Sequence, residues 1–151
     1  MKNSKINTAA LLKAAPLAIL TGVAINVVLF FIGDALGLID PAVGMPRPDG
    51  GVDPITVLPV ILSSTIPVIL AAGVLALLNR FTANPLRIFG IVSLILVVLS
   101  FANPFLAFPD LPLGMGIWLN LMHIVVAGSV WYFFSRYTSQ EADGKLGFSG
   151  Q

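Results

Sequence analysis

From Ala14 to Phe134 the chain is a succession of four apolar segments, separated by short stretches rich in proline, aspartate and arginine. The segments cover 14–38, 55–78, 86–108 and 113–134. Each holds about 20 or more residues, enough to cross about 30 Å of hydrocarbon at about 1.5 Å per residue. Hydrophobic residues make up 57% of the 151 positions and charged residues only 10%, whereas soluble domains carry about 25% charged residues. A soluble domain this small cannot hide so much apolar surface, so the solvent of these segments must itself be apolar. The expected fold is all-α: a polytopic membrane protein built as an antiparallel four-transmembrane-helix bundle. The turns at 79–85 and 109–112 are too short to do anything but set successive helices side by side.

Residues 1–13 form a short, polar, basic N-terminal segment. The first apolar segment follows lysines, as a signal peptide would. It exceeds the 7–15 residues of a signal core, so it is expected to be a retained helix. Pro16 falls in its first turn, where a missing N–H costs little. Residues 39–54, with four prolines and three glycines, read as an outer loop of turns with an extended course. Pro59 and Pro67 lie inside the second segment and are tolerated there by kinking. Asn103-Pro104 bends the end of the third. The polar tail, 135–151, is expected to be loosely ordered at its end.

The cations set an orientation. Lys2, Lys5, Lys13, Arg80, Arg87, Arg136 and Lys145 fall on one side of the spans, and only Arg47 on the other. Lys and Arg concentrate on the cytoplasmic side of membrane proteins. Both termini and the 79–87 turn are therefore expected in the cytoplasm, with Arg80, Arg87 and Arg136 as anchors at anionic headgroups. Asp40, Asp49, Asp53 and Asp110 then face outward, and Asp34 is a carboxylate near the outer interface.

Every segment brings a hydrogen-bonding side chain toward the middle of the membrane. The cluster comprises Asn26, Ser64, Thr65, Ser93, Ser100, Asn120 and His123, the last being the one histidine of the chain. These groups lie on stripes of small residues at helical spacing: Gly22, Asn26, Gly33 and Gly37 in the first segment, and Gly116, Asn120, His123 and Ala127 in the fourth. In lipid, small residues let helices approach, and Ser, Thr, Asn and His bond across the gap. The stripes should face inward, with a neutral His123 bonded to Asn26 or to a neighbouring Ser or Thr. Intramembrane ionisable groups are also frequent functional sites, so a polar path centred on Asn26 and His123 is the competing reading.

Several classes of chemistry find no support in the residues. There are no cysteines, which removes disulfides and thiolate metal sites. One histidine with no deep carboxylate does not fill a zinc shell, so no metal and no cofactor is expected. No nucleophile–histidine–acid set, phosphate-cradling loop or carboxylate pair occurs, and no catalytic residue is expected. The net charge of +1 and the lack of a basic patch give no reason for nucleic-acid binding.

"LLNR" closing the second segment, "LS-x-x-NP" closing the third and "LMHIVVA" in the fourth together resemble an uncharacterised family of small bacterial four-helix integral membrane proteins. The matching positions are Arg80, Ser100, Pro104, Met122 and His123, and the similarity runs over about 15–136. The resemblance implies a bacterial inner-membrane protein and no activity. The expected function is non-enzymatic association in the bilayer, as an accessory or scaffolding subunit of a larger membrane complex or as a homo-oligomer. The alternative is a small transporter or channel component with a path around Asn26 and His123. A membrane enzyme or pigment-binding subunit would need ligands from a partner chain.

Overall fold

The computed structural model describes residues 5–108 and 110–144. Helix α1 (Leu11–Ala35) follows a 3-10 turn at Thr8–Ala10, which Asn7 caps by accepting from the Ala9 amide at 3.0 Å. A two-stranded hairpin comes next, β1 (Gly44–Pro46) and β2 (Val52–Pro54). Then come α2 (Val57–Phe81), α3 (Pro85–Ser100), the short α4 (Asn103–Ala107) and α5 (Leu113–Gly144).

The sequence explains where these helices stop. At the end of α1, Gly37 adopts φ +67°, a conformation that glycine reaches without strain. The Leu38 amide reaches back to the Gly33 carbonyl at 2.8 Å and the Gly37 amide to that of Asp34 at 3.0 Å, closing a Schellman cap. Gly37 therefore terminates the helix and does not continue its small-residue stripe, as the spacing suggests. Pro16 sits inside α1, because the chain is already turning at Thr8. The third apolar segment is broken. Pro104 has no N–H to offer the Ser100 carbonyl, so α3 ends there in two tight turns, Phe101 N–H to Val98 and Ala102 N–H to Leu99. α5 passes through the expected end of the fourth segment and includes residues 135–144 of the polar tail; residues 145–151 lie outside the described residues.

α1 is the centre of the packing. It buries one seam, Ala14, Ala18, Gly22, Asn26, Phe30 and Gly33, at successive spacings of three and four residues. α2 and α5 both lie against this helix, and α3 bridges α2 and α5. Two apolar cores result. One gathers Leu11, Ala14 and Ala18 of α1 with Leu75 of α2, Phe89 of α3 and Phe134 of α5. The other gathers Phe30 of α1 with Val60 of α2, Met115, Leu119 and Met122 of α5, and the loop residues Ile39 and Val43. The start of α1 thus meets the ends of α2 and α5, and the end of α1 meets their starts.

The N-terminal segment is held at the first core. The Asn79 side-chain amide accepts from the Ile6 amide at 3.0 Å and donates to the Ile6 carbonyl at 3.1 Å, as a neighbouring strand would. Lys5 adds a bond to the Asn79 carbonyl, and Ile6 is buried beneath it. In Asn79→Ala both side-chain bonds are lost. Hydrogen exchange at the Ile6 amide should then run about tenfold faster, the equivalent of about 1.4 kcal/mol. Unchanged exchange would mean that Ile6 is held by its apolar contacts alone.

The outer loop is more regular than its composition suggests. Gly44 pairs with Pro54, Met45 with Asp53 and Pro46 with Val52. Gly44 is required by contact, since a Cβ there would lie 1.9 Å from the Asp53 carbonyl oxygen. Arg47 bridges the tip, 3.3 Å from Asp49 and 3.5 Å from Asp53.

Candidate functional site

The layer between the two cores is polar. Asn26, only 3% exposed, projects from α1 where three helices meet. Its Nδ2 donates to the Ser64 hydroxyl of α2 at 2.9 Å and to the Met122 carbonyl of α5 at 3.1 Å. One carboxamide thus ties α1 to both neighbours, with Gly22 one turn below it leaving room for close approach. Its Oδ1 is buried and has no partner among the described residues. The amide orientation follows from Met122, whose carbonyl only accepts.

Asn120 makes the comparable contact on the other side of α5. Its Nδ2 donates to the Phe101 carbonyl at 3.1 Å, at the break between α3 and α4. Its Oδ1 is likewise buried without a partner among the described residues.

His123 does not reach Asn26. Its Nδ1 lies 2.8 Å from the Leu119 carbonyl of its own helix. A histidine at i bonding the carbonyl at i−4 is satisfied before it meets a neighbour. The same local economy holds for two of the four hydroxyls expected to bridge helices, Thr65 and Ser100, and for Ser129, which is not among them. Thr65 donates to Ile61 at 2.8 Å, Ser100 to Val97 at 2.7 Å and Ser129 to Val125 at 2.8 Å. Ser93 is half-buried and makes no hydrogen bond among the described residues. Of the expected cluster, Asn26 and Ser64 come together, Asn120 joins α5 to the end of α3, and Thr65, Ser100 and His123 turn back on their own helices.

Sequence reasoning missed a further tie. The Trp118 indole of α5 donates to the Leu29 carbonyl of α1 at 3.0 Å. It lies on Gly33, where a Cβ would fall 2.4 Å from Nε1. The signal was present as a tryptophan in one apolar segment and a glycine at matching depth in another, but Trp118 reads from sequence only as an interfacial residue. Two more glycines act as seats for aromatic rings of neighbouring helices, Gly90 for Trp131 and Gly116 for Phe105.

The charged groups lie at the two ends. Asp34 is exposed at the end of α1. Arg80 stacks 5.7 Å from the Phe81 ring and Arg136 5.9 Å from the Tyr132 ring, while Arg87 is exposed. Beside the hairpin an open cleft of about 410 Å³ is lined by Asp40, Arg47 and Asp110 among others, and Arg47 there is already engaged by Asp49 and Asp53. Among the described residues no three His, Asp or Glu side chains gather as a metal site would require.

These features define a class: an all-α chain with three helices, Thr8–Ala35, Val57–Phe81 and Leu113–Ser139, long and apolar enough to cross a membrane, and a shorter apolar helix, Pro85–Ser100. The chain belongs to a family of unknown function, DUF6069, whose model matches residues 6–140. No curated protein and no solved structure matches it.

Proposed function

We propose that the chain is an antiparallel four-span protein of the bacterial cytoplasmic membrane, with both termini inside. It works by association with other membrane-embedded chains and not by catalysis. The membrane reading is supported by the length and apolarity of the helices and by the large side chains on their outer surfaces, such as Leu20, Leu70, Leu94 and Leu106, each more than 60% exposed. The orientation is supported by the segregation of charge. Lys5, Lys13, Arg80, Arg87 and Arg136 sit toward one end, and Asp34, Asp40, Asp49, Asp53 and Asp110 toward the other.

The observation that carries the association reading is the bonding at Asn26. A path through the protein needs polar groups turned toward water. Here the central carboxamide is 3% exposed and spends both donor hydrogens on neighbouring helices, and Thr65, Ser100 and His123 bond to their own backbones. What remains for a partner is the apolar outer surface, where a second chain, either a larger subunit or another copy, can replace lipid.

Two measurements test this together. The chain has no cysteine of its own, so Asn26→Cys in intact membranes reports without background. It should stay unreactive toward a hydrophilic maleimide. The tagged chain, purified in mild detergent from its own host, should run on native gels with a defined set of membrane subunits or as a discrete homo-oligomer. Rapid labelling at position 26 with a monomeric species would reject association and favour the small-transporter reading.

A further inference from the structure

One end of the α3–α5 seam carries two cations and an indole N–H, with no acceptor set against them. Phe89 of α3 stacks on Phe134 of α5 with centroids 5.9 Å apart, and Trp131 lies over Gly90. Farther along the seam, Asn120 bonds the Phe101 carbonyl. Positions short of Phe89 on α3 and beyond Phe134 on α5 are therefore at the same end. Arg87 is two residues short of Phe89, and Arg136 is two residues beyond Phe134.

Both arginines are exposed. Arg136 rests over the Tyr132 ring at 5.9 Å, a contact that orients the guanidinium without neutralising it. Arg87 has no partner among the described residues. The six-membered ring of Trp131 faces Gly90, where a Cβ would lie 2.8 Å from Cζ3 and 2.9 Å from Cη2. Its Nε1–H is at the opposite edge of the indole and makes no hydrogen bond among the described residues. Trp131 is itself 47% exposed. No carboxylate is at hand, because every aspartate among the described side chains belongs to the other end of the helices.

The surface leading away from Arg87 is apolar. Ile91, Leu94 and Val98 follow it along one face of α3, and each is more than half exposed. A ligand matched to this surface is an anion at one end and a hydrocarbon chain along the rest. The phosphate of a lipid can accept from both arginines and the indole, while its acyl chain covers Ile91, Leu94 and Val98. An ammonium in the headgroup would find no carboxylate among the described side chains and would be repelled by both arginines.

We propose that the Arg87–Trp131–Arg136 end of the α3–α5 seam docks one anionic phospholipid, selected over a zwitterionic one. This rests on the membrane reading above. It differs from general anchoring of cations at headgroups, because the selectivity belongs to Arg87 and Arg136 and not to Arg80. Arg80 ends α2 beside the tie between Lys5 and Asn79, and its guanidinium rests over the ring of its own neighbour, Phe81.

The whole chain, purified in mild detergent, is titrated with dioleoyl phosphatidylglycerol and with dioleoyl phosphatidylcholine, and native mass spectrometry counts the lipid retained. One phosphatidylglycerol should be held at concentrations where phosphatidylcholine is not. Arg87→Gln and Arg136→Gln should each raise the apparent Kd for phosphatidylglycerol about fivefold, and Trp131→Phe about threefold. Arg80→Gln removes the same charge from the same end and should leave that Kd unchanged. Equal affinity for the two lipids overturns the proposal. An equal loss in Arg80→Gln also overturns it, since net charge alone would then draw the lipid. Displacement of the lipid by millimolar inorganic phosphate would overturn the lipid assignment in favour of a simple anion site. All three outcomes leave the membrane reading intact. A chain that stays in solution without detergent and retains neither lipid overturns both.

Discussion

Gly33→Val should unseat Trp118 and loosen α5 from the outer half of α1. A Cβ at position 33 would lie 2.4 Å from the indole Nε1, 2.9 Å from its Cδ1 and 3.2 Å from Cγ1 of Ile39. The indole has little freedom to yield, because its N–H is bonded to the Leu29 carbonyl at 3.0 Å. Ile39 is 6% exposed and belongs to the same core. Valine must therefore push the ring away, strand its N–H in apolar surroundings and displace Ile39. Overpacking and a lost buried bond together should cost about 2–4 kcal/mol. The loss should appear as a lower Tm in detergent and, in a Trp131→Phe background, as a red shift of Trp118 emission. Gly22→Ala is the matched control on the same seam. The nearest atoms to its Cβ, in Ser129 and Val126, lie at 3.8 Å, an ordinary contact. It should leave both readouts unchanged. Equal effects at the two positions would mean that α1 is held by a general need for small residues and not by the Trp118 seat.

Asn26→Asp should cost more than removing the polar group altogether. The native Nδ2 faces two acceptors, the Ser64 hydroxyl and the Met122 carbonyl. A carboxylate would set oxygen against oxygen there and place a charge in the middle of the helices, which costs about 3 kcal/mol on insertion scales, and the two native bonds are lost as well. Asn26→Leu removes those bonds but also removes Oδ1, which has no partner among the described residues. Bonds between membrane helices contribute about 0.6 kcal/mol each on average, so the leucine variant should lose only about 1 kcal/mol. At neutral pH the expected order of Tm is native, then leucine, then aspartate. Acid protonates the introduced carboxyl and returns one donor, so the aspartate variant should recover part of its loss as pH falls, whereas the leucine variant should not respond. An aspartate variant as stable as the leucine one would mean that water reaches position 26, and the closed-centre argument would fail.

Much of the helical architecture was legible because it rests on run length and on the 3.6-residue period. The four apolar segments and the seam carrying Gly22, Asn26 and Gly33 follow from those two quantities, whereas the bond from Asn26 to Ser64 took the place expected for His123. The rest depended on competitions that spacing does not record. His123, Thr65 and Ser100 each had a carbonyl of their own helix within reach, and that local partner won over the neighbour across the gap. Gly37 continues the spacing of the seam but is spent on a positive φ. Residues 101 and 102 read as the interior of a long apolar segment, because the carbonyl left free by Pro104 has no signature in hydropathy. The hairpin at 44–54 was hidden by its prolines. They break alternation, and the pairing rests instead on the bare backbone of Gly44 and on the Arg47 pairs with Asp49 and Asp53.

The break at Phe101 has a consequence for the lipid itself. α3 has 16 residues and so reaches about 24 Å, against hydrocarbon about 30 Å thick. The other three long helices have no such shortfall. On the four-span reading proposed above, this one side of the protein would be mismatched, and lipid beside α3 would thin locally, at a cost of fractions of a kcal/mol per Å. A thinner membrane, or a neighbouring protein covering that side, relieves the strain. On that reading bilayer thickness would act on a single face of the molecule, and that face would gain from a covering neighbour where the evenly matched faces would not.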